Sequence, residues 1–370
     1  MHKLIDISFH YNEAMTEPET VINRYKESNE YLYYLNKWLV VRSVKHINYI
    51  GTYTNNEVLY RFYKGRNKFF YISFNTLKYI KDEKPDFVLI QGLCFPIQLL
   101  ITKLILPRSC KVLVQHHVEL PFTGIRRFFQ KIMDRYVDAY LFTALGNAEN
   151  WVKAGIIRDE KKCFEVLEAS TYLKQQNKEI SKKALGLTGE NNFLWVARLN
   201  NEKDPLTVLS AFAKHIEVEL TARLYMIFQT NDLLEEVVSK VANHILLAKY
   251  VTLVGRVAHE DLVTWYSASD YYISGSHKES TGYALLEAMA CGCIPVVTDI
   301  PSFKKITANG QYGFLYKIGD VKDLVKVLAL LQNVDKKMLS EKVVEYFNSQ
   351  LRFENIAVSI YDVCSILKTE

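Results

Sequence analysis

The chain has 370 residues, 49% hydrophobic and 24% charged, an ordinary globular composition with enough material for two cores rather than one. Its formal charge of +5 is unevenly placed: 25 Lys and Arg stand against 18 Asp and Glu up to residue 175, and 21 against 23 beyond it. No two of the six cysteines are spaced C-x-x-C, and no cluster of His, Cys and carboxylates falls at metal-ligand spacing, so nothing points to a metal or redox centre.

Residues 1–19, MHKLIDISFHYNEAMTEPE, read as a strand and a polar loop, without the apolar segment that a secretory signal needs. The longest apolar run, FPIQLLITKLILP, is too short to span a bilayer and carries Gln98 and Lys103, so a cytoplasmic chain is expected. The basic, aromatic first half would suit peripheral contact with an anionic membrane at the inner face, or simply a solvated surface. Strands are predicted in that half at DFVLIQG (Asp86 to Gly92), KVLVQHH (Lys111 to His117) and DAYLFTA (Asp138 to Ala144). A polar, lysine-rich hinge follows at 174–191. The second half repeats the rhythm with NNFLWVARL, ARLYMIF, YVTLVGRV, DYYISGS and CIPVVTD as strands between helical patterns, which predicts an α/β chain with two open parallel sheets. The last segment, RFENIAVSIYDVCSIL, has Phe353, Ile356, Ile360 and Val363 at helical spacing. Ligands of such sheets gather at the carboxyl ends of the strands, where helix N-termini collect.

One stretch asks for an explanation. KESTGYALLEAMACGCIPVVTDIP, Lys278 to Pro301, reads as a buried helix and a buried strand, yet Glu287 sits within the apolar run. A carboxylate removed from water without a partner costs several kcal/mol, so something polar should meet it. The helix is predicted to start near Gly282 and to stop before Gly292. Its first turn would offer backbone NH groups and a positive dipole end to an anion such as phosphate. Cys291 and Cys293 read as small buried thiols.

The stretch Glu279 to Glu287, with LLEAMACGCIPVV, resembles the E-x7-E region of the retaining GT-B glycosyltransferases, the group 1 family. The resemblance implies two Rossmann-like doubly wound domains facing a central cleft: 1–175 on the acceptor side, 176–345 binding the nucleotide sugar, and a helical segment 346–370 packing back on the first. It implies that Glu279 contacts the transferred sugar, that Glu287 takes the ribose hydroxyls, and that the backbone of Ser280, Thr281, Gly282 and Tyr283 holds the diphosphate. LWVARLNNEKDPLTVLSAF resembles the family's strand and basic loop, so Arg198 and Lys203 would clamp that diphosphate, with Ala197 where the family usually has Gly. YVTLVGRVAHEDLVTWYSASDYYISGS resembles the segment that wraps the base, with Val257 acting through its main chain and Arg256 and His259 as ordinary loop residues. KVLVQHHVELP takes the place of the strand and active-site histidine, which makes His116 the candidate and His117 its rival. The glycine-rich loop after the first strand is replaced by SFHYNEAMTEPET, and the Asn-Gly-Val-Asp turn by EVLEAST.

The implied activity is metal-independent transfer of a sugar, with retention, from a nucleotide diphosphate sugar to a glycan or lipid-linked acceptor in polysaccharide biosynthesis, with no cofactor beyond that substrate and no nucleic-acid partner. A degenerate GT-B subunit that binds nucleotide or a partner without turnover is the alternative. A doubly wound dehydrogenase would need a G-x-G-x-x-G turn, which the sequence lacks.

Overall fold

The computed structural model describes residues 1–369, so Glu370, the last residue of the expected C-terminal segment, lies outside the described residues. The chain divides into two compact units, Met1–Ala169 with the C-terminal helix Phe353–Thr369, and Ser170–Arg352. Among the described residues no helix is long and apolar enough to cross a membrane.

In the first unit eight strands form one sheet: β1 (Lys3–Asn12), β2 (Val40–Ile47), β3 (Gly51–Asn55), β4 (Val58–Tyr63), β5 (Phe87–Gln91), β6 (Lys111–Gln115), β7 (Ala139–Phe142) and β8 (Cys163–Glu165). Their spatial order is β3-β4-β2-β1-β5-β6-β7-β8, parallel except for the β3–β4 hairpin at the edge. The central strands are apolar on both faces because helices cover both, as the fully buried Val88, Leu89 and Ile90 of β5 show. The order reverses at β1, which pairs β2 on one side and β5 on the other, with Ile5 opposite Arg42 and Val88. The C-terminal helix buries Phe353, Ile356, Ile360 and Val363, the stripe its spacing predicts. It packs on the helix Tyr31–Leu35, with Tyr361 against Trp38 (ring centroids 5.6 Å apart) and Lys368 bonded to Asp86 at 2.8 Å.

The second unit holds a six-stranded parallel sheet of β9 (Asn191–Val196), β10 (Ala222–Ile227), β11 (Val251–Gly255), β12 (Tyr271–Ser274), β13 (Ile294–Thr298) and β14 (Phe314–Tyr316), in the order β11-β10-β9-β12-β13-β14. Its core is centred on β9, where Phe193 stacks on Tyr271 of the neighbouring strand (4.8 Å, 20°) and Trp195 is fully buried. Here the order reverses between β9 and β12. The crevice beyond the carboxyl ends of those two strands is therefore where a ligand of this sheet would lie.

Candidate functional site

Two loops converge at that crevice. After β9 the chain runs through Ala197 and Arg198 to a turn in which Asp204, at φ +41°, caps the helix Pro205–His215 by accepting a hydrogen bond from the Thr207 NH at 3.1 Å. After β12 the chain passes Gly275 so near this turn that a Cβ there would stand 2.7 Å from the Asp204 carbonyl, a distance only glycine permits. The two loops are then tied together: the His277 NH donates to the Glu202 carbonyl at 2.8 Å, and Lys278 pairs with Glu202 at 2.8 Å. This close approach brings Lys203 onto the Glu279 carboxylate, which also accepts from the Ser276 hydroxyl at 2.8 Å. Ala197 is not among the residues with positive φ, so the glycine usual in the family is not demanded by the backbone here.

The helix Tyr283–Ala290 starts where the sequence places it. Gly282 supplies the entry at φ +81°, and a Cβ there would meet the Phe303 ring at 2.7 Å. From Leu285 to Ala290 every residue is buried, and Glu287 is only 4% exposed. Its partners lie within the unit itself: the Tyr266 hydroxyl donates to one carboxylate oxygen at 2.9 Å, and His259 Nε2 bonds the other at 2.8 Å. Burial and then the Glu287 charge push the Tyr266 phenol well above its ordinary pKa, so it stays a donor at any physiological pH. His259 is therefore more than an ordinary loop residue, although its side chain is 57% exposed.

These groups surround a cavity of about 440 Å³. Arg198, Lys203, Val257, Glu279, Gly282 and Glu287 all reach its wall, as does Tyr283. Ser280 and Thr281 are buried and do not line it. Reasoning from sequence missed His259, Ser276 and Tyr272, which line the cavity as well, and Ile227 with Phe228, Gln229 and Thr230 just beyond the end of β10. Tyr272 carried no signal beyond that of a core aromatic in YYIS. Polar arms at the carboxyl ends of β9, β10, β11 and β12, around a mostly apolar floor, can hold a ligand with one anionic, one hydroxylated and one flat portion.

His116 and His117 belong to the first unit and differ sharply. His116 is buried beside Phe142 and Trp151 (centroids 4.9 and 6.1 Å), with Nε2 bonded to the Glu119 carbonyl at 3.1 Å. Burial lowers its pKa, against the pull of Glu119. His117 is about one-third exposed, with Nδ1 on Glu168 at 2.5 Å and Nε2 on the Gln91 amide oxygen at 2.8 Å. That amide is oriented from its other end, since its nitrogen donates to Asp6 at 2.6 Å and to the Tyr31 hydroxyl at 3.0 Å. Both ring nitrogens of His117 thus face acceptors, the arrangement of an imidazolium. Burial opposes the charge, but Glu168 outweighs it and the pKa is raised.

Residues 176–346 match the family model described as glycosyl transferases group 1. The alpha-monoglucosyldiacylglycerol synthase of Streptococcus pneumoniae is 27% identical over 180 residues, covering 47% of this chain and 40% of that protein. The N-acetyl-alpha-D-glucosaminyl L-malate synthase of Bacillus anthracis is 24% identical over 208 residues, 55% of this chain and 53% of that one. The chain thus spans about half the length of these curated relatives. Anabaena HepE, solved in complex with UDP, is similar at 13% identity with a TM-score of 0.74, over 98% of this chain and 100% of that one. At such identity the likeness is one of fold, and it is the two-domain GT-B fold that the resemblance implied.

Proposed function

We propose that the protein transfers a sugar from a nucleoside diphosphate sugar held in the second unit's cavity, a reading that rests on the match of residues 176–346 to the group 1 glycosyl transferases. The observation that carries the reading is the convergence of Arg198, Lys203, Glu279, Gly282 and Glu287 on one cavity at the switch point of its sheet. The diphosphate goes to Arg198, Lys203 and the first turn of the helix Tyr283–Ala290, where fixed positive charge stabilises the leaving group as its bond to the anomeric carbon breaks. In taking up Lys203 it frees Glu279 for the sugar hydroxyls. Glu287, held by Tyr266 and His259, turns its remaining lone pairs to the ribose. The base lies toward Val257 and the end of β10.

Configuration is retained in this reading. The acceptor oxygen bonds to the anomeric carbon on the face that the diphosphate leaves, and the acceptor proton passes to the departing phosphate oxygen. Two cations and a helix N-terminus take the place of a divalent metal, and no cofactor beyond the substrate is required. His117, partly exposed and with both ring nitrogens facing acceptors, is assigned the histidine's part in turnover in preference to the buried His116. The acceptor is a glycan or a lipid-linked acceptor; the Streptococcus relative is itself named for a glucosylated lipid, monoglucosyldiacylglycerol.

A thermal-shift panel of UDP-, GDP- and ADP-sugars tests the reading, with UDP first because the Anabaena structure holds it. A matching ligand at 100 times its Kd stabilises by about 2.7 kcal/mol, a rise of roughly 5–11 °C for a unit of this size. A flat response to every nucleotide would overturn it.

A further inference from the structure

The helix Gly124–Met133 turns only part of its apolar stripe toward the core of the first unit. Ile125, Phe128, Phe129 and Ile132 fall at positions i, i+3, i+4 and i+7, the apolar stripe that a surface helix normally turns inward. Its fully buried positions are instead Gln130 and Met133, while Ile125 and Phe128 are 67% and 55% exposed. The orientation is fixed rather than frayed: Gln130 donates to the Leu93 carbonyl at 3.1 Å and accepts from the Phe122 NH at 2.9 Å.

A neighbouring loop extends the same face. Phe69 and Phe70 meet Phe129 at 6.1 and 5.9 Å, and Phe69 also meets Phe122 at 6.0 Å. The loop is pinned by Gln98, which donates to the carbonyls of Phe69 and Tyr71 at 3.1 and 2.9 Å. Phe70 and Phe74 stand 65% and 77% exposed beside it. Cations interleave the rings, with Arg126 over Phe69 at 5.1 Å and Arg66 over Tyr71 at 5.8 Å. Residues 64–74 and 120–133 together carry six Lys and Arg and no Asp or Glu.

We propose that this face docks the protein on an anionic lipid bilayer, with Phe70, Phe74, Ile125 and Phe128 entering the acyl boundary and Lys64, Arg66, Lys68, Arg126 and Lys131 meeting the headgroups. The one-sided charge selects this occupant: a second copy of the chain would bring six cations against six, whereas anionic headgroups neutralise them. The proposal goes beyond the nucleotide-sugar reading and does not depend on it, since none of these residues lines the second unit's cavity.

Co-sedimentation of the full chain with vesicles tests it, using phosphatidylcholine alone and mixed with 30 mol% phosphatidylglycerol. Binding is expected only to the mixed vesicles and should weaken as salt is raised. The triple variant Arg66→Gln, Lys68→Gln, Arg126→Gln should lower partitioning by roughly 100-fold, at a factor of about five per charge. The pair Phe70→Ser, Phe128→Ser should release the protein from vesicles while its melting temperature and its nucleotide-induced thermal shift stay as in the wild type. Equal binding to neutral and anionic vesicles, or none to either, would overturn the proposal. So would sedimentation velocity showing a lipid-free dimer that the Phe variants dissociate, since the face would then join two copies.

Discussion

Replacing Glu287 by Gln separates a ligand contact from a structural one. The carboxylate accepts from the Tyr266 hydroxyl at 2.9 Å and from His259 at 2.8 Å. The amide oxygen of Gln can keep the buried Tyr266 bond, while the amide nitrogen cannot accept from His259. Because the His259 side chain is 57% exposed, losing that pair costs at most about 1 kcal/mol, a few degrees of melting temperature. The ribose loses more: a hydrogen bond to a charged acceptor is worth about 1.5 to 3 kcal/mol, or roughly 10- to 150-fold in affinity. Since free nucleoside diphosphate and complete sugar nucleotide share the ribose, titration calorimetry should show both weakened alike by Glu287→Gln. An unchanged Kd in the folded variant would refute the reasoning. A collapse of melting temperature with affinity intact would show that Glu287 serves only to secure Tyr266 and His259.

Glu279→Gln should leave the affinity for nucleoside diphosphate nearly intact and reduce turnover of the sugar nucleotide more than its binding, because the contact strengthens as charge develops at the anomeric carbon; parallel calorimetry and steady-state kinetics compare the two. His117→Ala should depress turnover without weakening nucleotide, whereas His116→Ala, which empties a buried site beside Phe142 and Trp151, should act mainly on the melting temperature; the opposite pattern would return the assignment to His116. The pH dependence of stability follows from the raised pKa of His117. The His117–Glu168 pair contributes fully below the unfolded imidazole value of about 6.5, and the contribution is lost as pH rises through the higher folded value, so denaturant titrations should show the wild type's lead over Glu168→Gln shrinking above that pH. Chelation with EDTA should leave turnover unchanged; loss of activity restored by Mg or Mn would contradict the metal-free reading.

The sequence was most legible where local chemistry decides the structure. Gly282 and Gly292 bracket an apolar run, and the helix Tyr283–Ala290 lies between them. The apolar runs expected as strands around Phe193, Leu224, Leu253, Ile273 and Val296 form the second sheet in parallel pairing. What escaped reading is set by contacts distant in sequence. The partners of Glu287, Tyr266 and His259, lie 21 and 28 residues away, and nothing local marks them. The orientation of His117 depends on Gln91 and, through it, on Asp6 in the first strand. In the β3–β4 hairpin Asn56 and Glu57 take positive φ at the turn, and Asn-Glu is a weaker hairpin signal than Asn-Gly. The helix Gly124–Met133 misleads periodicity, because Ile125 and Phe128 of its apolar stripe are exposed while Gln130 is buried.

The most direct test of the central claim is proton NMR of the full chain with the sugar nucleotide that gives the largest thermal shift, in the absence of an acceptor. Water can then replace the acceptor hydroxyl, and the account predicts slow release of free sugar and nucleoside diphosphate. The sugar should appear first in the anomeric configuration of the substrate, and Glu279→Gln should slow its appearance. Tight binding with the substrate intact after prolonged incubation, both alone and with candidate glycan acceptors, would contradict the account and identify a nucleotide-binding subunit without turnover.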